Sequence, residues 1–370
     1  MIVRHLKVEQ YRNLNRLELE PHPALTVIAG QNGQGKTNLL ESVWMLSGAK
    51  SFRASKEAEL VQRGENYSRI TGSIETDGEK DLMTLEISIR LDESGRRATR
   101  TAKKNGVDHG RAGSLAGEFP CVVFAPGHIS MVSGAPEGRR RFLDSALCQL
   151  YPGYLESLRR YTRALLQKNA YLKDCKTGCG FSPSPELLDT FDLQLAHYGA
   201  DIAARRKSYI EALAEAAGAR YAGISDGREV LQLSYLPSAM QQWNEDALSA
   251  ALRAGRPADL RAGFSTVGIH RDDLDFILDG TDARIYASQG QRRSIVLSAK
   301  IAELELIGSI TGLTPVLLLD DVLSELDDAR QDYLLNRIEG KQVFITSCNP
   351  ELFRKTGGKI VTLEKGVLQE

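Results

Sequence analysis

Eight consecutive residues, Gly30-Gln31-Asn32-Gly33-Gln34-Gly35-Lys36-Thr37, carry the most legible chemistry in the chain. They match G-x-x-x-x-G-K-[ST], the spacing of a phosphate-binding loop. The glycines let successive backbone N–H groups curl round an oxyanion, where a Cβ would obstruct them. Lys36 brings a full positive charge to the β- and γ-phosphates, and the start of the following helix adds a partial one. Thr37 offers a hydroxyl to Mg2+. The loop therefore reads as a nucleotide site, provided a strand precedes it and a helix follows. Ala24 to Ala29 has the apolar character of a buried strand, and Lys36 to Leu46 that of a helix.

Such a site needs an acid from a distant strand as its second half. Val316-Leu317-Leu318-Leu319 is continuously apolar, as a parallel strand buried on both faces should be, and it ends in Asp320-Asp321. Asp320 is placed to hold Mg2+ opposite Thr37. Asp321 either orients and deprotonates the attacking water or serves as a helix-capping carboxylate. Ser288-Gln289-Gly290-Gln291 opens a helix, where free amides and a hydroxyl make a second anion site. Facing the γ-phosphate of another copy, it would join two protomers through ATP. Arg12 and Asn13, in a turn just before the loop, either reach nucleotide or are ordinary turn residues.

The elements that must hold these groups are visible in the pattern. Ile2 to Glu9 and Arg16 to Glu20 read as a strand pair, and Tyr67 to Ile74 and Leu82 to Leu91 alternate like strands. Asn105-Gly106 marks a hairpin tip. Arg90 to Arg111 carries seven basic and three acidic residues, which suits either phosphate contacts or a charged, protected sheet edge. From Gly127 to about Gly263 the pattern turns mostly helical, with one strand at Val230 to Leu236. There Leu155, Leu158, Tyr161 and Leu165, and Leu188, Phe191, Leu195, Tyr198 and Ile202, form apolar stripes. Three arginine clusters, Arg139-Arg140-Arg141, Arg159-Arg160 with Arg163, and Arg205-Arg206-Lys207, read as solvated helix faces or DNA contacts. The expected fold is α/β, with an ATPase lobe of mixed sheets and helices from 1–126 and 267–370. A mostly helical lobe is inserted at 127–266, without a long coiled coil.

Composition sets the remaining bounds. Hydrophobic content of 42%, charged content of 26% and a formal net charge of −1 are ordinary for a globular protein, so any nucleic-acid surface must be local. Five scattered cysteines suggest a reducing compartment. Cys175 and Cys179 are half a metal site at most, and free loop thiols otherwise. The N-terminus lacks the apolar core of a signal peptide, and no apolar run reaches the roughly 18 residues of a membrane span. A cytoplasmic protein without a membrane partner is expected.

Taken together, the phosphate loop, Ser288-Gln289-Gly290-Gln291, Leu317-Leu318-Leu319-Asp320-Asp321 and Ser324-Glu325-Leu326-Asp327 resemble the head domains of ABC-type ATPases. Within that class the resemblance is to the SMC-like branch, and most closely to the RecF family of bacterial recombination mediators. Tyr11-Arg12-Asn13-Leu14, Lys50-Ser51-Phe52-Arg53, Val123-Phe124-Ala125-Pro126, Arg139 to Asp144 and Gly268 to Leu274 extend it over essentially the whole chain. The resemblance implies an ATP-dependent homodimer, slow hydrolysis, binding of double-stranded DNA near gaps, and work with RecR and RecO to load a strand-exchange recombinase. It also implies nucleotide contacts for Arg12 and Asn13, a trans role for Ser288, a dimer-seam position for Asp327 and a switch role for Ser347. Asp321 departs from the glutamate usual in ABC ATPases, and Ser347 stands near a position usually held by histidine. Gly127 replaces an acid more common in the family, and no glutamine of a Q-loop is placed. The alternative function is another ATP-gated SMC-like clamp or the ATPase subunit of an ABC transporter, the latter normally a shorter chain without the arginine-bearing insert.

Overall fold

A computed structural model describes residues 1–54, 56–76, 81–177, 183–238, 244–353 and 356–369. The chain divides into two compact units, Met1–His128 with Val296–Glu370, and Ile129–Ile295.

The first unit begins with a hairpin, β1 (Ile2–Tyr11) and β2 (Leu14–Leu19), in the register Leu6 opposite Leu19. Its turn is tighter than the sequence pattern suggests, because Tyr11 pairs with Leu14 and only Arg12 and Asn13 lie between them. A bulge between Val3 and His5 shifts the alternation, so Val3, Leu6 and Val8 all face the core. β3 (Leu25–Ala29) then enters the phosphate loop, and α1 (Lys36–Met45) leaves it. β4 (Tyr67–Glu75), β5 (Met83–Leu91), β6 (Ala98–Lys104) and β7 (Val107–Arg111) form a meander, followed by β8 (Cys121–Phe124). Ile70 and Ile74 on β4 face Leu85, Ile87 and Ile89 in the core, which explains the alternation in both strands. Asn105 and Gly106 both adopt positive φ, as a two-residue hairpin loop requires.

The second unit contains α2 (Ser130–Ser133), α3 (Pro136–Leu150), α4 (Tyr154–Thr177), α5 (Pro185–Ile224), β9 (Leu231–Leu236), α6 (Glu245–Ala262), β10 (Asp273–Leu278), β11 (Thr281–Asp282) and α7 (Ala283–Tyr286). α5 starts at Ser184, whose side chain accepts from Leu187 N, with Pro185 at the first helical position. α8 (Gln289–Thr311) begins in this unit and ends in the first. The insert therefore runs to Ile295 rather than to 266. The reason is long-range pairing: β10 lies antiparallel to β9 along its whole length, so residues 273–278 belong with the helices.

The first unit closes with β12 (Val316–Asp320), α9 (Asp328–Arg337), β13 (Val343–Ser347), β14 (Lys359–Glu364) and β15 (Val367–Gln369). One six-stranded sheet has the order β2-β1-β4-β5-β6-β7, and the other β15-β14-β3-β13-β12-β8. The second is parallel apart from β15, and its central strands are buried throughout.

The α4 stripe differs from its apolar pattern. Leu155, Leu158 and Leu165 are only partly buried, and the seam is Tyr154, Tyr161, Ala164, Lys168 and Leu172. Lys168 is fully buried, its ammonium 2.9 Å from Asp192 on α5 and 2.8 Å from Asp259 on α6. Arg256 adds a second cation to Asp192 at 2.7 Å. A charge triad of this kind ties three helices at one register, and stranding one of its partners costs about 3–5 kcal/mol. Cys179, with which Cys175 was paired as half a metal site, lies outside the described residues.

Candidate functional site

The phosphate loop emerges from the C-terminal end of β3 and is held from both sides. Gly30 has φ 150°, and a Cβ there would stand 2.5 Å from Leu363 O. Gly35 has φ 107°, and a Cβ there would meet both amide heads of Asn13, at 2.7 and 2.8 Å. Asn13 closes that approach by donating from Nδ2 to Gln34 O at 3.3 Å and accepting from Asn38 Nδ2 at 2.7 Å. From the other side, Lys365 N donates to Gln34 Oε1 at 2.6 Å and Gly366 N to Gln34 O at 3.0 Å. The β1–β2 and β14–β15 turns thus fix the loop before any ligand arrives. α1 has no side-chain cap, so its first amides are left for an anion. Lys36 is almost fully buried, and its Nζ donates to Gly30 O at 2.7 Å and Gln31 O at 3.0 Å.

The acid corner sits beside the loop. Thr37 Oγ1 donates to Asp320 Oδ1 at 2.8 Å, and Thr346 Oγ1 donates to the same oxygen at 2.9 Å. Thr346 is opposite Asp320 because β12 and β13 run parallel in that register. Its hydroxyl in turn accepts from Asp321 N at 2.8 Å. Burial raises the Asp320 carboxyl, opposed by the Thr37 and Thr346 hydrogen bonds and by Arg53, and reinforced by Asp321. Asp321 has φ 52°, a left-handed conformation uncommon outside glycine, and its Oδ1 accepts from Ser324 Oγ at 3.1 Å. Lys36, Thr37, Arg53, Asp320 and Asp321 line one cavity of about 160 Å3.

No cluster of three or more His, Cys, Asp or Glu side chains suits a metal among the described residues. Mg2+ keeps waters and phosphate oxygens and takes only one or two protein oxygens. Thr37 Oγ1 and Asp320 Oδ1, already in contact, fit that hard-oxygen requirement.

Several participants were not singled out as site residues from the sequence. Arg53 enters the cavity from the segment after α1, its Nη1 donating to Asn38 Oδ1 at 3.0 Å. Glu41, fully buried on α1, accepts from Tyr11 Oη at 2.8 Å, Arg12 Nε at 2.7 Å and Ser51 Oγ at 2.5 Å. Burial and the Glu41 carboxylate push the Tyr11 phenol up. Arg12, expected at the nucleotide, therefore spends part of its guanidinium on Glu41. At the end of β13 the Ser347 hydroxyl is folded into its own turn, accepting from Asn349 N at 3.0 Å. Its neighbour Cys348 touches the loop instead, with Sγ 3.3 Å from Lys36 Nζ and 3.1 Å from Asn32 Oδ1. Arg53 was visible in the sequence only as part of the Lys50-Ser51-Phe52-Arg53 motif, and nothing there assigned it to the site.

Asp327 caps α9, accepting from Arg330 N at 3.0 Å and pairing with the Arg330 guanidinium. In the second unit, exposed Ser288 and Gln289 open α8. Arg139 corrects the DNA expectation for its cluster. Its guanidinium grips Asp273 at 2.6 and 2.9 Å and Gly134 O at 2.8 Å, and at 1% exposure it is not presented to a phosphate at the surface. Arg140 is partly buried and donates to Asp272 O at 2.7 Å, so only Arg141 is exposed. Arg206 is likewise buried against Asp144. In the basic hairpin, Arg100 donates to Gly48 and Ala49 carbonyls and Lys104 pairs with Glu118 at 2.7 Å. The outward charge there falls accordingly.

A phosphate loop after a parallel strand, faced across β13 by an apolar strand ending in two aspartates, defines a P-loop NTPase site of the ABC type. The family described as RecF/RecN/SMC N terminal domain matches residues 2–367, and the chain belongs to it, on the RecF side of that family of ABC-type ATPases. The DNA replication and repair protein RecF of Staphylococcus aureus (strain USA300) is 37% identical over 374 residues, covering 96% of this chain and 98% of its own. Its counterpart in Bacillus mycoides (strain KBAB4) is 37% identical, covering 95% and 93%. The structure of the recombination mediator protein RecF with ATP, in the RecFOR pathway, superposes with a TM-score of 0.90 at 33% identity, covering 100% of this chain and 97% of that one. An Smc head domain from Pyrococcus furiosus, at TM-score 0.54 and 16% identity, shares the fold alone. Among the described residues no helix is long and apolar enough to cross a membrane.

Proposed function

We propose that this chain is a cytoplasmic, ATP-gated DNA-binding mediator of recombinational repair, in which two copies close over ATP on double-stranded DNA at gaps. It would act with RecR and RecO to load the strand-exchange recombinase. The observation that carries this reading is the Thr37–Asp320 contact of 2.8 Å beside the phosphate loop, in a chain that aligns end to end with RecF proteins.

In this reading the α1 amides and Lys36 bind the β- and γ-phosphates, and Lys36 exchanges the Gly30 and Gln31 carbonyls for phosphate oxygens. Thr37 and Asp320 would hold Mg2+, which would supply charge neutralisation of the bound polyphosphate. Arg53 adds a cation on the cavity wall, and Asn13 keeps the loop closed. Asp321 orients the attacking water and accepts its proton. Ser288 of a second copy completes the γ-phosphate site, with Asp327 at the seam. An aspartate in place of a longer acid accords with slow turnover.

A gapped duplex titrated over a salt series, with and without ATP, tests the DNA half of this proposal. Binding should require ATP and fall by roughly 10³-fold or more between 50 and 200 mM salt, as about six phosphate contacts demand. Binding that is indifferent to ATP, or nearly flat with salt, would contradict it.

A further inference from the structure

A chain of hydrogen bonds joins the end of α5 to the motif at the start of α8. Tyr221 Oη donates to Glu229 Oε2 at 2.7 Å, and Gln291 Nε2 donates to Glu229 Oε1 at 2.7 Å. On its other side Gln291 Oε1 accepts from Ser288 N at 2.7 Å, while Gln291 N donates to Ser288 Oγ at 3.2 Å. The last two bonds are a reciprocal capping box. A backbone N–H can only donate and a carboxylate can only accept, so the Gln291 amide satisfies both neighbours in one of its two flips alone. Glu229 selects that flip. Tyr221, only 1% exposed in the last turn of α5, occupies the other carboxylate oxygen and so holds Glu229 in place.

We propose that Glu229, held by Tyr221, is a positioning residue for the Ser288 motif: it fixes Gln291, and through it the helix start that meets the nucleotide of a second copy. This rests on the ATP-driven dimer proposed above. Charge alone argues the opposite sign. A carboxylate near a phosphate site repels the ligand, so Glu229→Lys would strengthen an ATP-bound dimer if only the field mattered. If positioning matters, lysine presents a donor to the Gln291 amide, turns it over, and sets its NH2 against Ser288 N–H.

Full-length variants can be compared by sedimentation with ATP, alongside ATP affinity by equilibrium titration and the circular-dichroism melt. Glu229→Ala and Glu229→Lys should each weaken ATP-driven dimerisation by about tenfold, the worth of one hydrogen bond to a charged group. Glu229→Gln keeps an acceptor for Gln291 and should dimerise within about twofold of wild type. Tyr221→Phe, which keeps the ring in the core, should move in the same direction as Glu229→Ala. ATP affinity, set by the phosphate loop, should stay unchanged in all four. Wild-type dimerisation in Glu229→Lys, or a Glu229→Gln loss equal to that of Glu229→Ala, would overturn the proposal. Ser288→Arg run in parallel separates the two levels. If it blocks dimerisation while Glu229→Lys does not, only the positioning role falls; if it too dimerises, both fall.

Discussion

Lys36→Met should slow ATP hydrolysis by at least about 10²-fold, the usual cost of removing one preorganised donor from developing oxyanion charge. Methionine fills nearly the same length of channel, so β3, α1 and the clamps on Gln34 stay in place. What is lost is the only ammonium that the structure buries within the loop, 2.7 Å from Gly30 O and 3.0 Å from Gln31 O. Nucleotide affinity should drop together with turnover, because the same charge serves the bound phosphates and the transition state. Phosphate release under saturating ATP and a binding titration check both. Retained turnover would mean that the polyphosphate lies elsewhere.

Asp321→Asn should separate the two quantities. If Asp321 takes a proton from water, kcat should fall by about 10²–10⁴-fold while ATP still binds and still drives dimerisation. Asparagine is the informative replacement. It tolerates the φ of 52° at this position, and its Oδ1 can still accept from Ser324 Oγ. Backbone strain and the local turn are therefore preserved, and only the proton acceptor is removed. An unchanged kcat would reduce Asp321 to the tether of Ser324. An accompanying loss of ATP affinity would place it with the metal-holding groups instead.

What could be read from the chain beforehand was local or periodic. The phosphate loop, the β12 run into Asp320 and the β4–β5 alternation each state their environment in a few consecutive residues. The Asn105-Gly106 turn did so through backbone chemistry. The misjudged positions depend on partners far away in sequence. Arg139 and Arg206 look like solvated charges until Asp273 and Asp144 are folded against them. The same holds for the end of the second unit, which only the pairing of β9 with β10 reveals. At the site, Glu41 and Arg53 gain their roles by converging on the β1–β2 turn and on Asn38, which no spacing rule encodes. Ser347 and Cys348 differ by one position at a strand end, where a turn decides which side chain meets Lys36.

In the proposed function the phosphate loop is half of a site whose other half, Ser288, comes from a second copy. Sedimentation of wild type and Ser288→Arg, each with saturating ATP and each without nucleotide, tests it most directly. Wild type should be monomeric without nucleotide and dimeric with ATP. Ser288→Arg should bind ATP with wild-type affinity and remain monomeric, because the substituted side chain disrupts the helix start that the partner's γ-phosphate must meet. An ATP-loaded Ser288→Arg that dimerises as wild type does, or a wild type that stays monomeric at saturating ATP, would contradict it.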